Sequence, residues 1–344
     1  MSELYQRRSY HYELPKELIA QYPCDPRDGS RLLLVDRATG TIELQPFCFL
    51  QELLKAGDSL VFNDTKVIPA RLQGRRVSGA AVEIVVVRIH SEGIWEALVR
   101  PGRKIKKGEK LFIAQDFSCE MVEPLGLGSY LLQIHSPLSS ERLLECYGSL
   151  ALPHYIRGGV AQLSDKENYQ TIFAANPGAI ATPTAALHFT PSLLTALHTK
   201  GVSHSTITLH VGVGTFRPVT SEDIRNHLIH RERVFISEQT ALHLNGRDTS
   251  CRQICVGTTC CRALENSCQQ GVIAAGSYDA SLFIYPGYCF RYVTSLLTNF
   301  HQPESTLLML VAAFAGYELT MRAYQAAIDL RLRFFSYGDA MLIL

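Results

Sequence analysis

The sequence predicts an α/β protein: a large mixed α/β domain with a small β-barrel domain inserted into it. Two observations predict this. Strand and helix patterns alternate near the start and again after residue 153, as they do where a sheet is at least partly parallel. Between about 73 and 152 the texture changes to short runs rich in β-branched and aromatic residues, separated by Gly, Pro and charged turns. The expected domains are therefore a discontinuous α/β body, 1–72 with 153–344, and a barrel-like insertion at 73–152.

Each element has its own signal. "SRLLLVDRATGTIEL" reads as strand, turn, strand, with the polar tip Asp36-Arg37-Ala38-Thr39-Gly40 as the turn. "CFLQELLKAGDSLVFND" reads as a helix stopped near Gly57, then a short strand into Asn63-Asp64. "AAVEIVVVRI", "IWEALVRPG", "EKLFIA", "CEMVEP" and "SYLLQIHS" supply the strands of the insertion, and "SSERLLECYG" a helix at its end. Beyond 153, "TPSLLTALHTKG" is helical and "HSTITLHVG" alternates as a strand. "RQICVGTT" is a buried strand, "CCRALENSCQQG" a helix and "SLFIYPGY" a strand. "TLLMLVAAFAGYELTMRAYQAAIDL" holds one or two helices, capped by Ser305 or Thr306 and interrupted at Gly316.

Composition bounds the function classes. The 344 residues are 47% hydrophobic and 19% charged, enough for a sizeable core and against bulk disorder. The ten-residue apolar run Leu307–Gly316 is half of what a membrane span needs, about 20 residues. With no signal-type apolar run in "MSELYQRRSYHYELPKEL", a cytoplasmic location is expected. The ten cysteines form no CxxC pair. Cys251, Cys255, Cys260, Cys261 and Cys268 fit zinc spacing poorly and read as buried thiols. His227, His230 and Glu232 in "HLIHRE" do not share one helical face, so no metal site is expected there.

Six polar clusters stand where strands or turns end: Asn63, Asp64, Thr65, Lys66 and Arg71; Thr182, Thr184 and His188; His210, Gly212 and Gly214; Gly257, Thr258 and Thr259; Asn299 and His301; Arg333, Ser336, Tyr337, Gly338 and Asp339. Open α/β sheets bind ligands beyond the carboxyl ends of their strands, so these clusters are expected to converge there. Each also has a plainer reading: a surface Asp64–Lys66 pair, or a half-buried His188 bonded to backbone. Gly212-Val213-Gly214 lacks the third glycine of a dinucleotide loop and the lysine of a P-loop. Net charge is only +1, yet "RPGRKIKKGEK" concentrates Arg100, Arg103, Lys104, Lys106, Lys107 and Lys110 against a single Glu109. That is a phosphate-backbone footprint or a solvated turn.

In this order, "NDTKVIPARL", "RPGRK", "PTAALHFT", "HVGVGTF", "VGTT", "TNFHQPESTLLMLV" and "RFFSYGDAM" resemble the S-adenosylmethionine:tRNA ribosyltransferase-isomerase family of queuosine biosynthesis, over essentially the full chain. The departures are Ala186 for a usual Gly, Val213 for Ala and Cys260 for Ser, with changes in "LPHYIRG" and just before Arg333. The resemblance implies an α/β domain with a β-barrel insertion. It implies transfer and isomerisation of the ribosyl part of S-adenosylmethionine onto 7-aminomethyl-7-deazaguanine at the wobble position of tRNA with a GUN anticodon. Epoxyqueuosine forms, and adenine and methionine leave. S-adenosylmethionine is consumed as a substrate, and no metal or other cofactor is implied. The expected protein is a monomer.

Such chemistry calls for groups that exchange protons near pH 7. His301 and Asp339 lead the acid/base expectation, with His188 and His210 beside them. Asn63, Asp64, Lys66, Arg71, Thr184 and Arg333 are expected to bind substrate, and Gly212, Gly214, Thr258 and Asn299 to shape the nucleoside pocket. Arg100, Arg103, Lys104, Lys106 and Lys107 are expected to meet tRNA. Two other classes compete: a tRNA-binding relative without turnover, marked by Ala186 and Val213, and another S-adenosylmethionine enzyme such as a methyltransferase.

Overall fold

The computed structural model describes residues 3–126, 128–212, 219–229 and 231–344, with the Arg103 side chain outside that set. The chain packs as two compact units. The first comprises residues 1–66, 168–176 and 182–344; the second comprises 67–167 and 177–181. The stretch 73–152 lies inside the second unit, and its flanks on both sides pack with it.

The first unit begins with β1 (Arg31–Val35) and β2 (Ile42–Pro46), paired antiparallel across the expected turn. Asp36 Oδ1 closes that turn by accepting the Ala38 and Thr39 N–H groups at 2.7 and 3.2 Å. The expected helix before Gly57 shrinks to a 3-10 turn, Phe47–Phe49, and one α-turn, Leu50–Leu53. It ends because Leu54, fully buried in the core, turns extended. Then β3 (Ser59–Asn63) is buried along its whole length, as a central parallel strand is.

The second unit is a closed antiparallel barrel of β4 (Arg71–Arg76), β5 (Ala81–Ser91), β6 (Ile94–Arg100), β7 (Lys110–Ala114), β8 (Phe117–Gly126) and β9 (Ser129–His135). Its strand order is β9-β6-β5-β4-β7-β8. Alternate side chains fill it: Leu72, Ile84, Trp95, Ala97, Leu111, Phe117, Met121 and Leu132 are all at most 2% exposed. Helix α1 (Ser140–Tyr147) follows, capped by Ser139, and Trp95 Nε1 donates to Ser140 Oγ at 2.9 Å.

The chain then returns to the first unit through α2 (Pro191–Thr199), β10 (Ser203–Leu209), β11 (Glu232–Ile236) and α3 (Glu238–Asn245). It continues with β12 (Gln253–Val256), α4 (Thr258–Ser267), β13 (Gly276–Ala280) and β14 (Ser295–Asn299), and closes with α5 (Thr306–Ala315), α6 (Tyr317–Asp329) and β15 (Ala340–Ile343). The sheet order is β13-β11-β10-β3-β12-β14-β15-β1-β2. Its centre, β10-β3-β12-β14, is parallel. β15 runs antiparallel to β14 and parallel to β1. The carboxyl ends of β10, β3, β12 and β14 therefore share one edge with the amino ends of β15 and β1. The fold expectation of a mixed α/β body plus a β-barrel holds.

One expected element is absent. "SLFIYPGY" forms no strand; the strand lies just before it, at Gly276–Ala280, and 281–288 is irregular. The Pro286-Gly287 pair breaks the ladder, and Ile284 is buried against helices instead. The apolar run after 306 is two helices. Ser305 Oγ accepts the Leu308 N–H at 3.2 Å, and Gly316, at φ 87°, breaks the run where a side chain would be strained. Among the described residues no single helix is long and apolar enough to cross a membrane.

Candidate functional site

The polar clusters do line up. Along the shared sheet edge stand His210, Asn63, Gly257-Thr258, Asn299, Asp339 and Arg31, one after each strand end or before each strand start. What differs between them is how far their hydrogen bonds are already used.

Asn63 is spent on structure. Its Nδ2 donates to the Leu209 carbonyl at 2.8 Å, and its Oδ1 accepts the N–H groups of Leu209 (3.0 Å) and Thr65 (3.1 Å). It therefore locks β3 to β10. Asp64 Oδ1 accepts from Thr208 Oγ1 at 2.7 Å. Lys66 is exposed. Arg71, by contrast, belongs to the second unit, where its guanidinium donates to the carbonyls of Leu152 and Gly159 and lies 3.5 Å from Glu83. His210 Nδ1 shares a 2.8 Å bond with Thr65 Oγ1. Burial holds its pKa below the ordinary value, against the pull of Asp64.

Asp339 is 1% exposed and holds a crossing point. It accepts the Arg31 N–H at 3.0 Å and the Arg333 N–H at 2.7 Å, and the Arg31 guanidinium at 3.1 and 3.2 Å; Arg333 Nη2 lies at 3.6 Å. This ties the start of β1 to the tight loop before β15. Gly338 in that loop is required, because a Cβ there would overlap the Arg333 carbonyl.

His301 sits in an aromatic nest of Tyr12, Phe300, Tyr324 and Phe334. Its N–H donates to Tyr324 Oη at 2.9 Å, its carbonyl accepts from Tyr12 Oη, and its Nε2 shares a 2.8 Å bond with Thr298 Oγ1. Burial drives its pKa down to about 3.

His188 is different. It closes the 3-10 turn Thr184–His188, stacks on Phe47 at 4.8 Å and shares a 2.7 Å bond between Nδ1 and Ser30 Oγ. Its Nε2 is buried and makes no hydrogen bond of standard geometry. The same holds for Asn299 Oδ1, while Asn299 Nδ2 donates to the Phe335 carbonyl at 3.0 Å. Burial pushes the His188 pKa down to about 4; Asp339 opposes that shift, Arg333 reinforces it, and the Asn299 side chain, within hydrogen-bonding reach of the ring, adds a smaller upward pull. The ring is neutral at pH 7. A buried polar atom left unbonded costs about 1–3 kcal/mol, so a His188–Asn299 contact short of standard geometry leaves bonding capacity that a ligand can use. A small open pocket of about 220 Å3 lies there, lined by Pro23, Cys24, Arg27, His188, Arg333 and Tyr337 among others. Arg27 and Arg333 make it cationic.

The remaining expected residues are placed as follows. Thr184 is half-buried on the turn that carries His188. Ala186 is fully buried in the hydrophobic core with Phe47, Phe189 and Leu297, so its methyl group takes core space. Gly212 donates its N–H to Glu232 Oε1 at 3.1 Å, and Thr258 opens α4. Gly214, Val213 and His230 lie outside the described residues. In the barrel unit Lys104, Lys106 and Lys107 are exposed, and Arg100 Nη1 lies 3.3 Å from His154 Nε2. Glu109 is taken by Arg76 at 2.7 Å and by the Lys106 N–H at 3.1 Å. Among the described residues no group of three or more His, Cys, Asp or Glu is arranged to hold a metal ion, and all ten cysteines are free.

Sequence reasoning missed Ser30, Arg31, Arg27 and the buried Glu232–Arg262 pair. The partners of Ser30 and Arg31 lie 158 and 308 residues away, which no local pattern reveals.

The comparisons agree with this architecture. A family model described as "Queuosine biosynthesis protein" matches residues 7–343. The S-adenosylmethionine:tRNA ribosyltransferase-isomerase of Trichlorobacter lovleyi is 44% identical over 98% of this chain and 99% of its own. That of Symbiobacterium thermophilum is 47% identical over 97% and 98%. The crystal structure of the S-adenosylmethionine tRNA ribosyltransferase of Thermotoga maritima aligns with a TM-score of 0.56 at 39% identity, covering 98% of this chain and all of that one. This chain belongs to the queuosine-biosynthesis family of S-adenosylmethionine:tRNA ribosyltransferase-isomerases, enzymes that modify tRNA.

Proposed function

We propose that this enzyme transfers and isomerises the ribosyl group of S-adenosylmethionine onto 7-aminomethyl-7-deazaguanine at the wobble position of GUN-anticodon tRNA, releasing adenine and methionine and leaving epoxyqueuosine. The reading includes a cytoplasmic monomer and no metal or redox cofactor; the products balance against the substrates with protons alone. The observation that carries the site assignment is the neutral His188 ring, its buried Nε2 without a bond of standard geometry and within reach of Asn299, at a cationic pocket.

A neutral imidazole out of water suits two tasks in this reaction. It can accept one proton at Nε2, from the acidified ribose 5′ carbon next to the sulfonium or from the attacking amine, and must release it before the other is taken. Arg333 and Arg27 suit the carboxylate or phosphate that enters with the substrates. In this reading Asp339, expected first with His301 as acid or base, is a positioning group, because several bonds hold it to its own scaffold; His301 stands second to His188, its ring bonded to Thr298 and its backbone to Tyr12 and Tyr324. Lys104, Lys106 and Lys107 of the barrel unit supply charge for the tRNA backbone.

The test is a product assay with S-adenosylmethionine and tRNA carrying the aminomethyl base. Equal release of adenine and methionine, dependent on that base and unaffected by a chelator, supports the reading. Tight tRNA binding without release makes the protein a binder. S-adenosylhomocysteine as product makes it a methyltransferase.

A further inference from the structure

A second pocket opens at the same sheet edge and no step above uses it. Its empty space, open solvent at the mouth included, is about 460 Å3. Five apolar side chains wall it: Ile229, Phe283, Ile284, Leu307 and Leu310. Thr258 and Thr259 line it from the first turn of α4, and Thr306 from the first turn of α5. One charged feature stands among them, the Glu232–Arg262 pair, 3% and 8% exposed. Glu232 starts β11, beside the end of β10, and also accepts the Gly212 N–H.

This composition selects a ligand. A cation pocket would carry more carboxylate, and a phosphate site would not line itself with a Glu. An apolar lining that also holds a carboxylate and a guanidinium side by side offers an acceptor next to donors. Adenine has the complementary edge: an exocyclic amine that donates, next to ring nitrogens that accept. Phe283 offers a ring face to stack on the base. The pocket also adjoins the His188 turn. A Cβ added to Gly257, the residue before Thr258, would lie 3.9 Å from the Ala185 methyl, three residues before His188.

We infer that this pocket holds the adenine of S-adenosylmethionine, with Glu232 accepting from the exocyclic amine and the apolar walls enclosing the ring. The inference rests on the proposed function, since it takes S-adenosylmethionine as the substrate. It adds which of two pockets holds the purine, and it predicts what the pocket rejects. Hypoxanthine turns an oxygen toward the carboxylate where adenine turns an N–H, and a site built to bond a donor discriminates strongly against its loss.

The experiment measures S-adenosylmethionine binding by equilibrium dialysis, with adenine and hypoxanthine as competitors. It is run on the full-length wild type and on Leu307→Trp, which fills the pocket without touching the ion pair. Phe283→Ala, a half-buried position, serves if the larger side chain impairs folding. Adenine is expected to compete at least tenfold better than hypoxanthine. Either variant is expected to weaken S-adenosylmethionine at least tenfold while tRNA affinity stays within twofold. Equal competition by the two bases, or undiminished S-adenosylmethionine binding in a folded variant, overturns the inference. The product assay on the wild type stands apart: adenine and methionine release by the wild type, with undiminished S-adenosylmethionine binding in Leu307→Trp, leaves the proposed function standing and removes only this assignment.

Discussion

His188 and His301 stand at one edge of one sheet, both buried and both held neutral at pH 7, yet their surroundings differ. Around His301 the ring shares one bond, Nε2 with Thr298 Oγ1, while Tyr12 and Tyr324 hold its backbone. Around His188 the bonding stops halfway, with Nδ1 engaged and the buried Nε2 and Asn299 Oδ1 lacking bonds of standard geometry beside a pocket. A saturated polar cluster rigidifies a core, whereas a half-saturated one costs stability until a ligand completes it. The same division separates Asp339, held on several sides, from the pocket that Arg333 lines nearby.

The largest effect that tests this division is on turnover. His188→Gln is expected to lower the rate of adenine release by about 10²–10⁴-fold, the usual range for losing a general base. Thermal unfolding should change little, since a glutamine can still reach Ser30. His301→Gln should do the reverse in proportion: a measurable loss of stability with turnover retained within about tenfold. If His301→Gln abolishes turnover in a folded protein and His188→Gln does not, the two histidines have been assigned the wrong way round.

Next in size is Asp339→Ala. Removing one partner of a buried ion pair costs roughly 3–5 kcal/mol; Arg31 and Arg333 are each about a third exposed and can rehydrate, so the lower end of that range applies. Urea unfolding followed by circular dichroism reads it. A shift much under about 1 kcal/mol would show that the β1–β15 crossing does not depend on this carboxylate.

The pH dependence of stability is smaller per step. Both histidines have folded pKa values below the ordinary 6.5, about 4 for His188 and about 3 for His301, because burial penalises the charged ring. Below pH 6.5 the unfolded chain binds protons that the folded chain refuses. Stability is therefore complete above about 6.5 and falls as the pH drops toward 4, by roughly 1.4 kcal/mol per pH unit for each ring at most. His301→Gln should remove one proton's share of that slope. An unchanged slope between pH 4 and 6 would mean that the ring is hydrated in solution.

The overall fold was legible because it rests on periodicity. Alternating strands in the barrel, continuous apolar strands in the sheet and the Gly316 break each follow from local residue types. "SLFIYPGY" misled because an apolar run around Pro286-Gly287 carries the same local signal whether it enters a ladder or walls a pocket. The clusters of the site were legible as turn chemistry at strand ends. Their ranking was not: the His188 ring is bonded by Ser30 and the His301 backbone by Tyr12, 158 and 289 residues away in the chain. Glu232 showed in the sequence only beside two histidines, and nothing there marks Arg262, mid-helix, as its partner.

The smallest expected effect separates the barrel unit from the α/β unit. Glu109 is already taken by Arg76 and the Lys106 N–H, so it does not neutralise the lysine side chains around it. Lys104, Lys106 and Lys107 stay exposed and charged, with nothing in the fold that needs them. Changing any one to Ala should leave unfolding and the rate at saturating tRNA unchanged. If each meets a phosphate, each loss should lower the slope of log affinity against log salt by about one, uniformly across tRNA sequences. The triple variant should then lose about three. A triple variant with wild-type slope would return this turn to a solvated face and move tRNA recognition elsewhere. A slope change that differs between GUN and other anticodons would mean that the turn reads bases as well as backbone.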